Sequence, residues 1–132
     1  MQSETKKLGS TGIARLTIVE AVLHKDTEFF GKMDPYFKIF FRNFEMTSKI
    51  NYQGGKSPKW NETFQIHVKN KQEVIRFEVY DEEKNRDDIM VGERELKMEN
   101  FIDEAHKNKW FTLFYKGKPK GEIHIKCDFM GM

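Results

Sequence analysis

The chain has 132 residues, 38% hydrophobic and 33% charged, which indicates one globular domain rather than a disordered or membrane-spanning chain. Its formal net charge of +2 is too small to indicate a nucleic-acid partner, and we expect none. The single cysteine, Cys127, cannot form an internal disulfide, so a reducing compartment is the default expectation.

The apolar residues recur at every second position along most of the chain, as in strands with one buried and one solvated face. Residues 1–12 are polar and predict a flexible lead, followed by a single domain at residues 13–132. The pattern predicts one short helix at 99–107 and eight strands, near residues 13–23, 36–43, 44–52, 60–69, 74–82, 90–98, 109–116 and 120–130. This spacing favours an all-β antiparallel sandwich, with Trp60, Trp110 and Cys127 in its core.

Two predicted loops are rich in carboxylates. The first is "HKDTEFFGKMD" at residues 24–34, and the second is "DEEKNRDD" at residues 81–88. If both loops lie at one end of the sandwich, their eight carboxylates repel one another unless a cation joins them. Hard oxygen ligands of this kind suit calcium.

Four sequence blocks occur in the order and at the spacing of a known family: "GKMDPYFKI", "SPKWNETFQIHV", "IRFEVYDEE", and "DD" leading to "VGE". Together they resemble the C2 domain, a calcium- and phospholipid-binding β-sandwich. The resemblance runs from about Ile13 to Phe129, and "GEIHIKCDF" supplies a last strand after "WFTLF", as in the type II topology. It implies an eight-stranded antiparallel sandwich, with the short helix before the seventh strand.

The resemblance also implies a set of calcium ligands between the two acidic loops: Glu28, Asp34, Asp81, Glu83, Asp87 and Asp88. The family usually carries Asp at the positions of Glu28 and Glu83, and the spacing from "DD" to Val91 is one residue longer than usual.

Phe29 and Phe30 form an apolar pair in the first acidic loop and are predicted to insert into a membrane. Burying both rings would contribute about 3–6 kcal/mol, which corresponds to weak binding, so a second, electrostatic contribution is expected. The two loops carry a balance of −4, which bound calcium would cancel at an anionic membrane. A basic face for lipid headgroups is predicted at Lys38, Arg42, Lys49, Lys56 and Lys59, although ordinary solubilising lysines would give the same pattern.

The four histidines are scattered, and neither a catalytic triad nor a zinc-ligand spacing can be assembled, so we expect no enzyme. The sequence predicts a cytoplasmic module that binds peripherally to anionic phospholipid membranes, with calcium promoting the binding. The alternative is a calcium-independent protein-interaction module, because exposed apolar pairs also mark partner sites and the two Glu positions weaken the calcium prediction.

Overall fold

The computed structural model describes residues 11–24, 32–103 and 107–132. Most of the predicted lead and part of the predicted helix therefore lie outside the described residues. The described chain forms eight strands and one short helix: β1 (Gly12–Leu23), β2 (Pro35–Phe41), β3 (Phe44–Thr47), β4 (Lys59–Val68), β5 (Val74–Asp81), β6 (Ile89–Lys97), α1 (Glu99–Ile102), β7 (Asn108–Tyr115) and β8 (Lys118–Gly131).

The strands follow the order β3-β2-β5-β6-β7-β8-β1-β4, and each neighbouring pair is antiparallel. Between β6 and β7 a single residue pair, Glu93 and Phe114, is in register. The strands therefore form two four-stranded sheets, β3-β2-β5-β6 and β7-β8-β1-β4, which are joined only at the edge between β6 and β7. Strands β3 and β4 are the free edges on the opposite side. This arrangement confirms the predicted all-β antiparallel sandwich and is consistent with type II topology.

The core lies between the two sheets because the alternating apolar residues of each strand point inward. Phe37, Phe41, Phe77 and Phe101 are among its largest fully buried side chains. Cys127 is 2% exposed and belongs to the same core, as predicted. Burial, and secondarily the charge of the neighbouring Asp128, raises the pKa of the Cys127 thiol to about 12. The cysteine therefore acts as a small apolar core residue rather than as a nucleophile.

Two predicted elements were too long. Strand β3 ends at Thr47 rather than at residue 52. Beyond it, the Ser48 N–H still donates to the Phe37 carbonyl (2.9 Å), but the Phe37 N–H donates to the Ser48 hydroxyl (2.8 Å) instead of to a main-chain carbonyl. The hydroxyl itself donates to the Lys49 carbonyl (2.8 Å), so a side-chain bond replaces one of the two ladder bonds. The helix ends at Ile102 because Asp103 is extended (φ −69°, ψ 141°).

The prediction that Trp110 lies in the core was wrong. Its side chain is 41% exposed. It stacks on the His124 ring of the adjacent strand, with centroids 4.7 Å apart, on the outer face of the sheet. Trp60 packs against the core as predicted, and its indole N–H donates to the Pro35 carbonyl (3.2 Å).

Candidate functional site

Four chain connections meet at one end of the sandwich, because β1, β3, β5 and β7 all run toward that end. They comprise residues 24–34, 48–58, 82–88 and 116–117. We call the described residues 32–34, 48–59, 81–88 and 116–120 the loop end. Main-chain hydrogen bonds between different connections hold it together: Glu82 N–H to Asp34 O (3.1 Å), Gly55 N–H to Met33 O (3.0 Å) and His24 N–H to Lys120 O (2.9 Å).

Asp34 and Asp81 lie side by side at the centre of the loop end. Asp81 is the last residue of β5, pairs with Pro35 of β2 and is fully buried. Its Oδ1 accepts the Asp34 N–H (2.9 Å), and the Asp34 Oδ1 accepts the Gln53 N–H (2.7 Å). The structure therefore brings together two aspartates that the sequence assigned to two separate loops.

The second acidic loop is closed by donors of the protein itself. Asp88 accepts the Glu83 N–H through Oδ1 (2.9 Å) and the Tyr36 hydroxyl through Oδ2. Burial raises the pKa of the Tyr36 hydroxyl, and the adjacent Asp88 carboxylate raises it further. Arg86 donates from Nε to the Glu83 Oε1 (3.0 Å). Two of the predicted calcium ligands are thus engaged within their own loop.

The remaining predicted ligands are Asp87 and Glu28. Asp87 is exposed. Glu28 lies outside the described residues, as do the predicted membrane-inserting residues Phe29 and Phe30. Within the described parts of the chain, no three or more His, Cys, Asp or Glu side chains form a group that would hold a metal. The described donors fit calcium only through the pair Asp34 and Asp81, which would need further oxygen ligands.

The predicted basic face is divided between the two ends of the sandwich. Lys38 lies on the outer face of β2, with its ammonium 5.3 Å from the centre of the Tyr80 ring and 3.6 Å from a Glu45 carboxylate oxygen. Lys49 and Lys56 belong to the connection that precedes β4, and Lys59 is the first residue of β4. These three lysines are exposed at the loop end.

Arg42 is separate from the other predicted basic residues. It follows the last residue of β2 and therefore lies at the opposite end of the sandwich. Its guanidinium binds the Glu73 carboxylate (2.6 Å). Burial alone would raise the pKa of Glu73, but hydrogen bonds from the Lys69 N–H and from Arg42 lower it below its ordinary value. Arg42 is thereby a partner of Glu73 and is remote from the loop end.

Sequence reasoning missed one group of cations at the loop end. The sequence "KGKPK" at residues 116–120 forms the turn between β7 and β8, and Lys32 adds a further exposed cation. The dense lysines around a Gly-Pro turn were visible in the sequence, but the strand order is needed to place that turn beside the acidic loops. The described loop end carries nine Lys and Arg side chains and six carboxylates, a balance of +3.

The sequence profile of the C2 domain matches residues 12–113. The chain belongs to the C2 domain family. Its curated relatives include "16 kDa phloem protein 2" of Arabidopsis thaliana, 26% identical over 89% of this chain and 81% of the relative. "Elicitor-responsive protein 3" of Oryza sativa subsp. japonica is 29% identical over 89% of this chain and 83% of the relative.

Solved C2 structures have the same fold. A C2 domain of plant Extended Synaptotagmin 1 superposes with a TM-score of 0.79 at 23% identity, covering 93% of this chain and 97% of that domain. The calcium-bound pair of C2 domains of Extended-Synaptotagmin 2 matches with a TM-score of 0.76 at 25% identity, covering 92% of this chain and 46% of that structure. The resemblance inferred from the four sequence blocks is thus confirmed.

Proposed function

We propose that this C2 domain is a non-catalytic module that docks peripherally onto anionic phospholipid membranes at the cytoplasmic face. The observation that carries the proposal is the loop end, where four connections collect a net positive charge at one pole of the sandwich. A cationic surface near an anionic leaflet gains about 1 kcal/mol per Lys or Arg. None of the helical residues that the structure describes forms a segment with the length and apolar character of a membrane span.

Calcium is proposed to strengthen the docking. Asp34 and Asp81 would hold it, because they are adjacent and supply the hard oxygen ligands that calcium prefers. The calcium-bound Extended-Synaptotagmin 2 domains share this fold. Bound calcium would add positive charge between the two acidic loops. Phe29 and Phe30 are proposed to add apolar burial of about 3–6 kcal/mol if both insert.

The experiment is co-sedimentation of the protein with vesicles, with and without phosphatidylserine, in calcium and in chelator. We expect binding to require phosphatidylserine and to be stronger in calcium. Asp81→Asn should remove the calcium response, because the amide keeps an oxygen for the Asp34 N–H but loses the charge. Asp128→Asn is the matched control, since Asp128 is an exposed aspartate on β8 away from the loop end.

Binding that is unchanged by Asp81→Asn in both calcium and chelator would remove calcium from the proposal and leave the membrane contact. A folded protein that sediments with no vesicle in either condition would refute membrane docking altogether.

A second candidate function, a protein-interaction module, is favoured by a groove between the free edges of β3 and β4. The groove has a volume of about 320 Å³, and its lining includes Phe44, Met46 and Ile66. Phe44 is 65% exposed, which is high for a large apolar side chain. This function would be preferred if the folded protein failed to bind every vesicle composition.

A further inference from the structure

The turn between β7 and β8 is a tight two-residue hairpin. Tyr115 pairs with Lys118, and the intervening Lys116 and Gly117 both have positive φ angles (50° and 78°). Positive φ at both central positions is the geometry of a type I′ turn, which matches the twist of the flanking strands. The lysines of this hairpin are therefore held by the sheet rather than carried on a long loop.

The hairpin is tied to the rest of the loop end. The ladder between β7 and β8 shifts register after Leu113, which pairs with Gly121, while Phe114 pairs with Pro119. Lys120 is the extra residue of this bulge, and its carbonyl accepts the His24 N–H (2.9 Å) at the start of the first acidic connection. The hairpin thus reaches the same pole as Asp34 and Asp81.

The hairpin lysines form no ion pair with the described residues. Lys116 and Lys118 are exposed, and Lys120 is half-buried. Among the residues that the structure describes, no carboxylate oxygen lies within ion-pair distance of any of these three ammonium groups. The Lys116 ammonium lies 5.4 Å from the centroid of the Tyr115 ring. Their charge is available to an external anion.

We propose that the hairpin of residues 116–120 is a calcium-independent contact for the phosphate and carboxylate groups of an anionic bilayer surface. This inference rests on the proposed membrane docking and assigns to it a contact outside the two acidic loops. A bilayer is the partner that fits, because Lys116 and Lys118 are exposed on a tight turn at the same end of the sandwich as the exposed Lys49, Lys56 and Lys59. A planar array of anions can meet such a surface along its whole width.

The test uses the full chain with vesicles of phosphatidylcholine containing phosphatidylserine, in chelator, so that the acidic loops hold no calcium. The variant is Lys116→Gln/Lys118→Gln. The matched control is Lys69→Gln/Lys71→Gln, which removes the same charge from an exposed Lys-x-Lys turn at the opposite end of the sandwich. Thermal unfolding of both variants should stay close to that of the unaltered protein, because all four side chains are exposed.

We expect the hairpin variant to bind about 30-fold more weakly, since each lysine at an anionic surface contributes roughly fivefold. The control should change binding by no more than about twofold. The difference between the variants should shrink at high salt, as expected for screened surface charges.

Equal weakening in the two variants would overturn the inference, because net charge and not the hairpin would then set the affinity. No weakening in the hairpin variant would overturn it as well. In both cases the unaltered protein still binds, so membrane docking stands. Failure of the unaltered protein to bind in chelator would also overturn the inference, and failure in calcium too would refute the proposed function along with it.

Discussion

The hydrogen bond from Tyr36 to Asp88 should contribute measurably to the stability of the domain. Tyr36 is 8% exposed, and its hydroxyl donates to a carboxylate that also accepts the Glu83 N–H. Hydrogen bonds to charged groups contribute about 1.5–3 kcal/mol. Because Asp88 is exposed and can be rehydrated, we expect Tyr36→Phe to lie at the lower end, about 1.5 kcal/mol. For a domain of this size that corresponds to a fall in melting temperature of about 6 °C.

The assay is urea unfolding and thermal unfolding followed by circular dichroism. Phenylalanine keeps the stacking on Tyr80, whose ring centre is 5.6 Å away, so the substitution removes the hydroxyl alone. The matched control is Tyr52→Phe, because Tyr52 is 63% exposed and its hydroxyl has no hydrogen-bond partner among the described residues. If the two variants differ by less than about 0.5 kcal/mol, the bond does not stabilise the fold and the reasoning is wrong.

Three further predictions concern titratable groups. Burial raises the pKa values of Tyr36 and Tyr80 above 10, and hydrogen bonds to Asp88 and Glu78, one for each tyrosine, raise them further. The two tyrosines therefore contribute fully to stability below pH 10, and this contribution is lost as the pH rises above 10. The free energy of unfolding should therefore fall more steeply above pH 10 in the unaltered protein than in Tyr36→Phe/Tyr80→Phe, by up to about 1.4 kcal/mol per pH unit for each tyrosine. Cys127 should resist iodoacetamide at pH 8 in the folded protein and react fully in urea, and labelling without denaturant would contradict its burial. Glu73→Gln should cost about 1 kcal/mol at pH 7. Because the pKa of Glu73 is lowered in the folded protein, its stabilisation is complete above the ordinary pKa of a glutamate and is lost as the pH falls through the lowered pKa, so the difference should shrink in acid. A difference that persists in acid would show that the ion pair with Arg42 is not its source.

The strands were predictable from sequence because alternation of apolar and polar residues is a direct consequence of a half-buried sheet. The two errors have different physical causes. The Ser48 hydroxyl ends β3 early by taking the Phe37 N–H. Trp110 has the apolar character of a core residue, but its strand position places it opposite His124 on the outer face. Neither the hydroxyl bond nor the cross-strand partner can be read from a local pattern.

The candidate site was predictable only in part, for the same reason. Asp34 and Asp81 were assigned to one site by the family resemblance, and the pairing of β2 with β5 places them in contact. Arg42 was grouped with Lys38 by strand parity, yet β2 ends one residue before it, and Arg42 pairs with Glu73 at the other end. The alternation of residues along a strand determines on which face of the sheet a side chain lies. The position of the residue relative to the strand's ends determines at which end of the sandwich it lies.

The charge of the loop end shows how topology changes a functional expectation. The two acidic loops by themselves carry a balance of −4, for which calcium would act as an on-off switch at an anionic membrane. The fold adds the six lysines of residues 48–59 and 116–120 to the same end of the sandwich, which changes the balance from −4 to +2.

A domain whose docking pole is already positive needs no cation to remove repulsion. Bound calcium would still strengthen the attraction of a surface that already binds without it. We therefore expect calcium to strengthen binding to phosphatidylserine vesicles by a modest factor, on the order of tenfold, rather than to create it. The opposite result would be undetectable binding in chelator and strong binding in calcium. It would show that the hairpin and the lysines before β4 do not face the membrane together with Asp34 and Asp81.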